Sequence, residues 1–274
     1  MFAAVDLNSD MGEGFGTYTL GHDEALIDYV SSINVACGFH AGDPRIMGET
    51  VAVAREKGVA IGAHPSFPDL VGFGRRQMDL TADEVRTDVI YQTGALAAFA
   101  KAHGTSLTHL APHGRLGNLV ATRTDYAAAV VDAVLAVDSG LVILAQDGCL
   151  ADEARSRGVR VGIVGIADRA YQADGTLVPR TQPGAVIHDV ETIAARTVQI
   201  VTEGYLYAVD GTRVDVQADT VLLHGDNPEA VENARAVRAA LEAAGVTIAS
   251  LSEVLAERQA AESGDGERRE PALR

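Results

Sequence analysis

Residues 3–13 read AAVDLNSDMGE. An apolar start gives way to Asp6, Asn8 and Asp10 in alternation, and Glu13 follows between Gly12 and Gly14. The same pattern recurs along the chain: NVACGFHAGD at 34–43, VAIGAHPS at 59–66, LTHLAPHG at 107–114, LVILAQD at 141–147, VGIVGIADR at 161–169 and VLLHGD at 221–226. Each is a short apolar run of the kind that forms a buried strand, and nearly every one ends in His, Asp, Asn or Glu. Strands that all deliver polar chemistry to one end describe a barrel enzyme with a single mouth.

The segments between these runs read as helices. Asp43 is an N-cap with Pro44 at the first helical position, opening a helix that runs to 57 and stops at Gly58. Thr81 and Glu84 form a capping box for a helix to about 103. Further helices are expected over 22–30, 124–137, up to 157, over 190–203, from the Asn227-Pro228 cap to 244, and briefly over 251–255. Strands are expected at 3–7, 33–36, 59–62, 107–110, 141–144, 159–166, 221–224 and 246–249. Asp210-Gly211 is a hairpin signal between 207–209 and 213–216. The stretches 64–80 and 168–182 read as loops, the first long for an α/β connection. Strand–helix alternation with polar ends on almost every strand favours a closed (β/α) TIM-like barrel of seven or eight strands over an open doubly wound sheet. One barrel domain is expected over 1–256, with a disordered polar tail over 257–274.

The chain of 274 residues carries a formal net charge of −16. Such a surface repels nucleic acid and anionic membranes, and an anionic substrate would need local arginines to reverse the field. Cys37 and Cys149 make no disulfide scaffold and read as buried, inert thiols. No leader-like segment and no bilayer-length apolar run is apparent, so a cytoplasmic location is expected. Neither a G-x-G-x-x-G dinucleotide turn nor a G-x-x-x-x-G-K-[ST] phosphate loop is present.

Clustered carboxylates at a barrel mouth are costly unless they share a proton, meet a cation or face a basic ligand. Asp10 or Glu13 is therefore the candidate general base or water-orienting group. His40, His64, His113 and His224 each lie at or just past a strand end, where imidazoles shuttle protons or bind a divalent metal; the spacing leaves both open. Arg75 and Arg76 in the long loop, with Arg169 and Arg180 in the later one, supply forks for carboxylate or phosphate. Asp168 is placed to pair with Arg169 or a histidine, and Asp226 has the same ambiguity.

The stretches DLNSDMGEGFG, SSINVACGFHAGDP, GVAIGAHPSFPDLVGFGRR, APHGRLGN, ADRAYQADGTLVPRTQPGAVI and LLHGDNPEAV closely resemble the LamB/YcsF family over about residues 3–255. That resemblance implies a distorted (β/α) barrel similar to the polysaccharide deacetylase fold. It also implies the A component of an ATP-dependent 5-oxoprolinase, using Mg-ATP and working with partner subunits B and C. The family's polar set maps onto Asp6, Asn8, Asp10, Glu13, His40, Asp43, His64, Arg75, Arg76, His113, Asp168, Arg169, Arg180, His224 and Asp226. Two positions depart from the family pattern: Ala111 stands where Lys is usual and Gly117 where Tyr is usual, with Arg115 in the same loop as a candidate substitute. Two other readings stay open. One is a metal-dependent amide or N-acetyl hydrolase with Asp10, His64 and His113 as a triad. The other is a non-catalytic binding protein that holds partners or a small ligand. Homo-oligomerisation is not decided by the sequence.

Overall fold

The computed structural model describes residues 4–226 and 229–266. The first strand, β1 (Ala4–Met11), leads through a short helix α1 (Asp23–Leu26) and a single 3-10 turn to β2 (Ser32–Ala36). There follow α2 (Pro44–Lys57), β3 (Ala60–His64), α3 (Ala82–Ala102), β4 (His109–Leu110), α4 (Gly114–Val120) and α5 (Thr124–Val137). The chain continues with β5 (Val142–Ala145), α6 (Cys149–Ser156), β6 (Val161–Ile166) and α7 (Val190–Glu203). A hairpin of β7 (Tyr205–Tyr207) and β8 (Arg213–Asp215) precedes β9 (Thr220–Leu223), α8 (Ala230–Ala243), β10 (Thr247–Ile248) and α9 (Leu251–Gly266).

Seven parallel strands close a ring in the order β1-β2-β3-β4-β5-β6-β9 and back to β1. The eighth, β10, does not enter the ring: it pairs with Ala4 and Val5 at the start of β1, below the stretch Asp6–Ser9 that pairs with β9. The barrel is thus seven-stranded with an added strand at its closed end. Apolar side chains that point outward from the staves, among them Leu7, Met11, Ile33, Val35 and Ile61, pack under the helices as one core.

The inside of the barrel is polar. Asp6, Asn8 and Asp10 alternate with Leu7, Ser9 and Met11, so the pleat sends all three inward. Asp6 accepts from the Ser31, Ser32 and Thr220 hydroxyls at 2.6–2.7 Å. Asn34 donates to Asn8 at 2.6 Å and to Asp10 at 2.8 Å. His109 reaches Asn34 Oδ1 at 3.0 Å, and a Cβ on Gly62 of the neighbouring stave would lie 2.1 Å from its ring, so the imidazole fits only against glycine. Pairing with β2 keeps β1 in the sheet to Met11, beyond its expected end at 7.

The predicted caps are present: Asp43 accepts from the N–H groups of Arg45 and Ile46, and Thr81 with Glu84 closes its box. Helices over 124–137 and 190–203 have the expected bounds. The Asn227-Pro228 cap lies outside the described residues. Two expectations are corrected. Helix α4 forms where the sequence predicts none, and α9 runs to Gly266 rather than ending near 255, so the start of the expected tail is helical. Among the described residues, no helix is long and apolar enough to cross a membrane.

Candidate active site

The acid–base candidates lie at or just beyond the C-terminal ends of the staves, as a barrel with one mouth requires, whereas Asp6 sits near the start of β1, bonded to Ser31, Ser32 and Thr220, away from the mouth. Asp10 is still within β1, and Glu13 lies just beyond it. His40 comes from the tight turn after β2, where Gly38 N–H donates to Ala41 O at 2.8 Å. His64 is the last residue of β3, and His113 is the N-cap of α4 just past β4. Asp168 follows β6 and His224 follows β9. Arg75 and Arg180 sit in the loops after β3 and β6.

Glu13, His40, His64 and His113 converge at the floor of the mouth, all buried, with one ligand atom from each inside 4.8 Å of the others. His40 Nε2 lies 3.2 Å from Glu13 Oε1, and His113 Nδ1 lies 3.6 Å from the same oxygen. His113 Nδ1 and His64 Nε2 are 2.9 Å apart, and Asp10 Oδ1 is 3.3 Å from His64 Nε2. The His40 and His113 rings stack at 3.8 Å and 7°. Phe73 meets both edge-on, and the Arg75 guanidinium lies 4.7 Å from the Phe73 ring centroid.

Two main-chain oxygens fix the imidazoles. His64 Nδ1 faces Ala111 O at 2.7 Å, and His113 Nε2 faces Phe73 O at 2.9 Å. A carbonyl oxygen only accepts, so each of these nitrogens carries the N–H. Phe73 holds its carbonyl there from a left-handed backbone conformation, φ 54°. Its neighbour Gly74, φ 64°, admits no side chain: a Cβ would lie 2.2 Å from Ser66 Oγ and 2.9 Å from the His113 ring.

Burial dominates the electrostatics. It lifts the Glu13 carboxyl well above its usual range, helped by the charges of Asp10 and Asp226. It drives His40 and His113 well below the usual imidazole range, with neighbouring imidazoles acting in the same direction. Burial opposes ionisation of Asp10 too, but His64, His224 and His113 together bring that carboxyl below its ordinary value.

A second group lines the other side. His224 Nδ1 lies 2.8 Å from Asp168, whose carboxyl is held down against burial by that imidazole. Arg75 donates to Asp226 at 2.7 Å, and Arg180 lies within electrostatic reach of Arg75, Asp226, Asp168 and Asp10. The other two arginines are committed to the loops. Arg76 is bound to Asp69, which also accepts from Gly72 N–H at 2.9 Å. Buried Arg169 donates to Ala185 O at 3.0 Å and Val178 O at 2.5 Å, riveting the loop after β6.

Ala111 contributes its carbonyl rather than a side chain, and Arg115 donates to Gln77 at 2.7 Å. A Cβ at Gly117 would lie 2.5 Å from Pro112 O, so a larger residue there needs a different local path. Sequence reasoning did not single out His109, Asn34 and Phe73 as parts of the site. The only available signals were the inward alternation of β1 and an aromatic between two glycines.

The chain as a whole has close counterparts. A Pyrococcus horikoshii protein, named as the A component of 5-oxoprolinase, is 50% identical over 252 residues, spanning 92% of this chain and 99% of the relative. The crystal structure of a lactam utilization protein from Thermus thermophilus matches with a TM-score of 0.85 at 48% identity, covering 90% of this chain and 99% of that one. Peptidoglycan deacetylase PdaC from Bacillus subtilis superposes with a TM-score of 0.50 at 12% identity over 98% of each chain, a likeness of fold alone. The LamB/YcsF family profile matches residues 5–256, the whole barrel with every candidate residue inside it, and the chain belongs to that family.

Proposed function

We propose that this chain is the A component of an ATP-dependent 5-oxoprolinase. It would open 5-oxo-L-proline to L-glutamate while ATP is converted to ADP and phosphate, with Mg-ATP as co-substrate and subunits B and C as partners. The observation that carries the reading is the near full-length match, at 48–50% identity, to relatives of that name, joined to one mouth that holds acid–base groups and guanidinium groups together.

A lactam resists water because its amide is resonance-stabilised. Transfer of the γ-phosphoryl group to the amide oxygen removes that stabilisation. One water then adds at the activated carbon and the C–N bond breaks, with a proton going to the departing ring nitrogen. The acyl phosphate left behind takes up the second water and releases phosphate. Glu13, with its raised pKa, is the group to orient and deprotonate water. His64 or His113, 2.9 Å apart, supplies the proton to nitrogen. Arg75 and Arg180 neutralise the phosphoryl charge against an otherwise acidic surface. The Asp168–His224 pair acts as a second proton-handling unit across the mouth. Tyr18 and Val71, exposed on loops after β1 and β3, offer the partners apolar surface.

The test is release of glutamate and ADP from 5-oxo-L-proline and Mg-ATP by the chain alone and then with subunits B and C. Coupled release in the assembled mixture supports the reading. An assembled complex that releases neither product overturns it.

A further inference from the structure

Two imidazole nitrogens at the floor of the mouth, His64 Nε2 and His113 Nδ1, face each other at 2.9 Å. The N–H of His64 is committed to Ala111 O and that of His113 to Phe73 O. In the neutral rings His64 Nε2 and His113 Nδ1 therefore present lone pairs, with Glu13 Oε1 3.6 Å from the latter and Asp10 Oδ1 3.3 Å from the former. Four ligand-capable groups thus face one buried space, where a cation between them would offset the cost of their burial.

We propose that His64 Nε2, His113 Nδ1 and a Glu13 carboxylate oxygen bind a divalent transition-metal ion of the zinc class. Ligand atoms around a four-coordinate zinc lie about 3.3 Å apart, given bonds of about 2.0–2.1 Å. The separations of 2.9 and 3.6 Å bracket that value. Two imidazoles with one carboxylate favour zinc, cobalt or iron over magnesium or calcium, which take oxygen ligands, so the ion is distinct from the magnesium carried by a nucleotide. Each ligating ring donates its other N–H to a main-chain carbonyl, the arrangement that orients imidazoles on a metal. His40 lacks that support, since its buried Nδ1 has no hydrogen-bond partner. Its Nε2 faces Glu13 instead, which makes it a positioning residue for the carboxylate. Asp10, tied to Asn34, supplies charge from the next layer. Three protein ligands leave a fourth position open for water or the carbonyl oxygen of an amide.

The inference rests on which atoms converge, not on the oxoprolinase reading: with an ion bound, Glu13, His64 and His113 would serve as ligands in place of the proton-handling roles given them above, and Asp168 with His224 would remain to move protons. The full chain is stripped with a chelator and titrated with Zn²⁺ by calorimetry and with Co²⁺ by visible absorption. The expected result is one ion per chain, with intense Co²⁺ bands of low-coordinate geometry. Affinity should fall at least 100-fold in Glu13→Gln and His113→Gln and less than tenfold in His40→Gln. Proton NMR of the unsubstituted Co²⁺ form should show two strongly shifted exchangeable imidazole N–H signals, those of His64 and His113, which needs no variant to fold. A folded chain that takes up no ion, folded variants that bind as the parent does, or a Co²⁺ form without the two N–H signals would each overturn the proposal. Ion uptake by the isolated chain is read without turnover, so its failure leaves the oxoprolinase reading standing, and the reverse holds too.

Discussion

His224 Nδ1 lies 2.8 Å from the Asp168 carboxylate, and the two residues come from staves that neighbour each other in the ring although they are far apart in sequence. The buried carboxylate holds the ring in one orientation and keeps the proton on Nδ1. Asp168→Asn keeps the size but removes the charge and permits the wrong tautomer. We expect turnover to drop on the order of 10²–10⁴-fold while the fold is retained. Steady-state rates beside a thermal melt check this, and an unchanged kcat would remove the pair from the chemistry.

Arg75 and Arg169, both in loops, should separate cleanly from each other. Arg75→Ala removes a guanidinium at the mouth, where its pair with Asp226 is partly exposed and worth about 0–1 kcal/mol. We expect kcat/KM to fall about 10²-fold with little change in melting temperature. Arg169→Ala removes the guanidinium donor to Val178 O and one of the two donors to Ala185 O, which keeps the Ala170 N–H, and should cost about 2–4 kcal/mol in denaturant unfolding. The opposite pattern would exchange the roles assigned to the two residues.

Acid stability should depend on Asp69. The Arg76 guanidinium, with backbone N–H groups of Arg76 and Gly72, holds its carboxyl below the ordinary value of 3.8. A folded-state pKa below the unfolded one means the unfolded chain binds the proton first. The contribution is therefore complete above about pH 4 and is lost as pH falls from there toward the folded value. Asp69→Asn should lower stability near neutrality by about 1–2 kcal/mol, the low end because the Arg76 side chain is largely in water, and should flatten the acid limb. Chemical denaturation from pH 2 to 7 reads both effects, and parallel curves for the two proteins would refute the assignment.

Thiol reactivity gives a test of burial. Burial pushes the Cys37 thiol up to about 12, whereas Cys149 is half-buried at the start of α6. Iodoacetamide at pH 8 should alkylate Cys149 first and reach Cys37 only after unfolding, as followed by peptide mass spectrometry. Labelling of Cys37 in the folded chain would show that the stave behind the site opens.

The parts legible in the sequence are those whose causes are local. Asp43 caps a helix with its own neighbours, and Thr81 finds Glu84 one turn on, so α2 and α3 are readable from a few adjacent residues. The alternation of Asp6, Asn8 and Asp10 was equally plain, but its extent was not. β1 continues to Met11 because Ser32, Ile33, Asn34 and Val35 of β2 and Leu222 and Leu223 of β9 pair with it, and register is not written in the strand itself. Glycines at 114 and 117 disguised α4. Residue type marked four arginines as anion binders, yet Asp69 occupies Arg76, and two loop carbonyls occupy Arg169. The convergence of Glu13 with three imidazoles needed the closed ring, since only closure brings the ends of β1, β2, β3 and β4 to one point.

The oxygens that orient His64 and His113 belong to the main chain of Ala111 and Phe73. Every residue type carries such an oxygen, so a change of side chain at 111 leaves that anchor in place as long as the chain follows the same course. The chemistry of the floor is thereby insulated from drift in the letters around it. Two relatives can differ at 111 in charge and size while presenting the same imidazole edge to a ligand. A lysine at that position would then act on what enters the mouth, not on how the histidines stand.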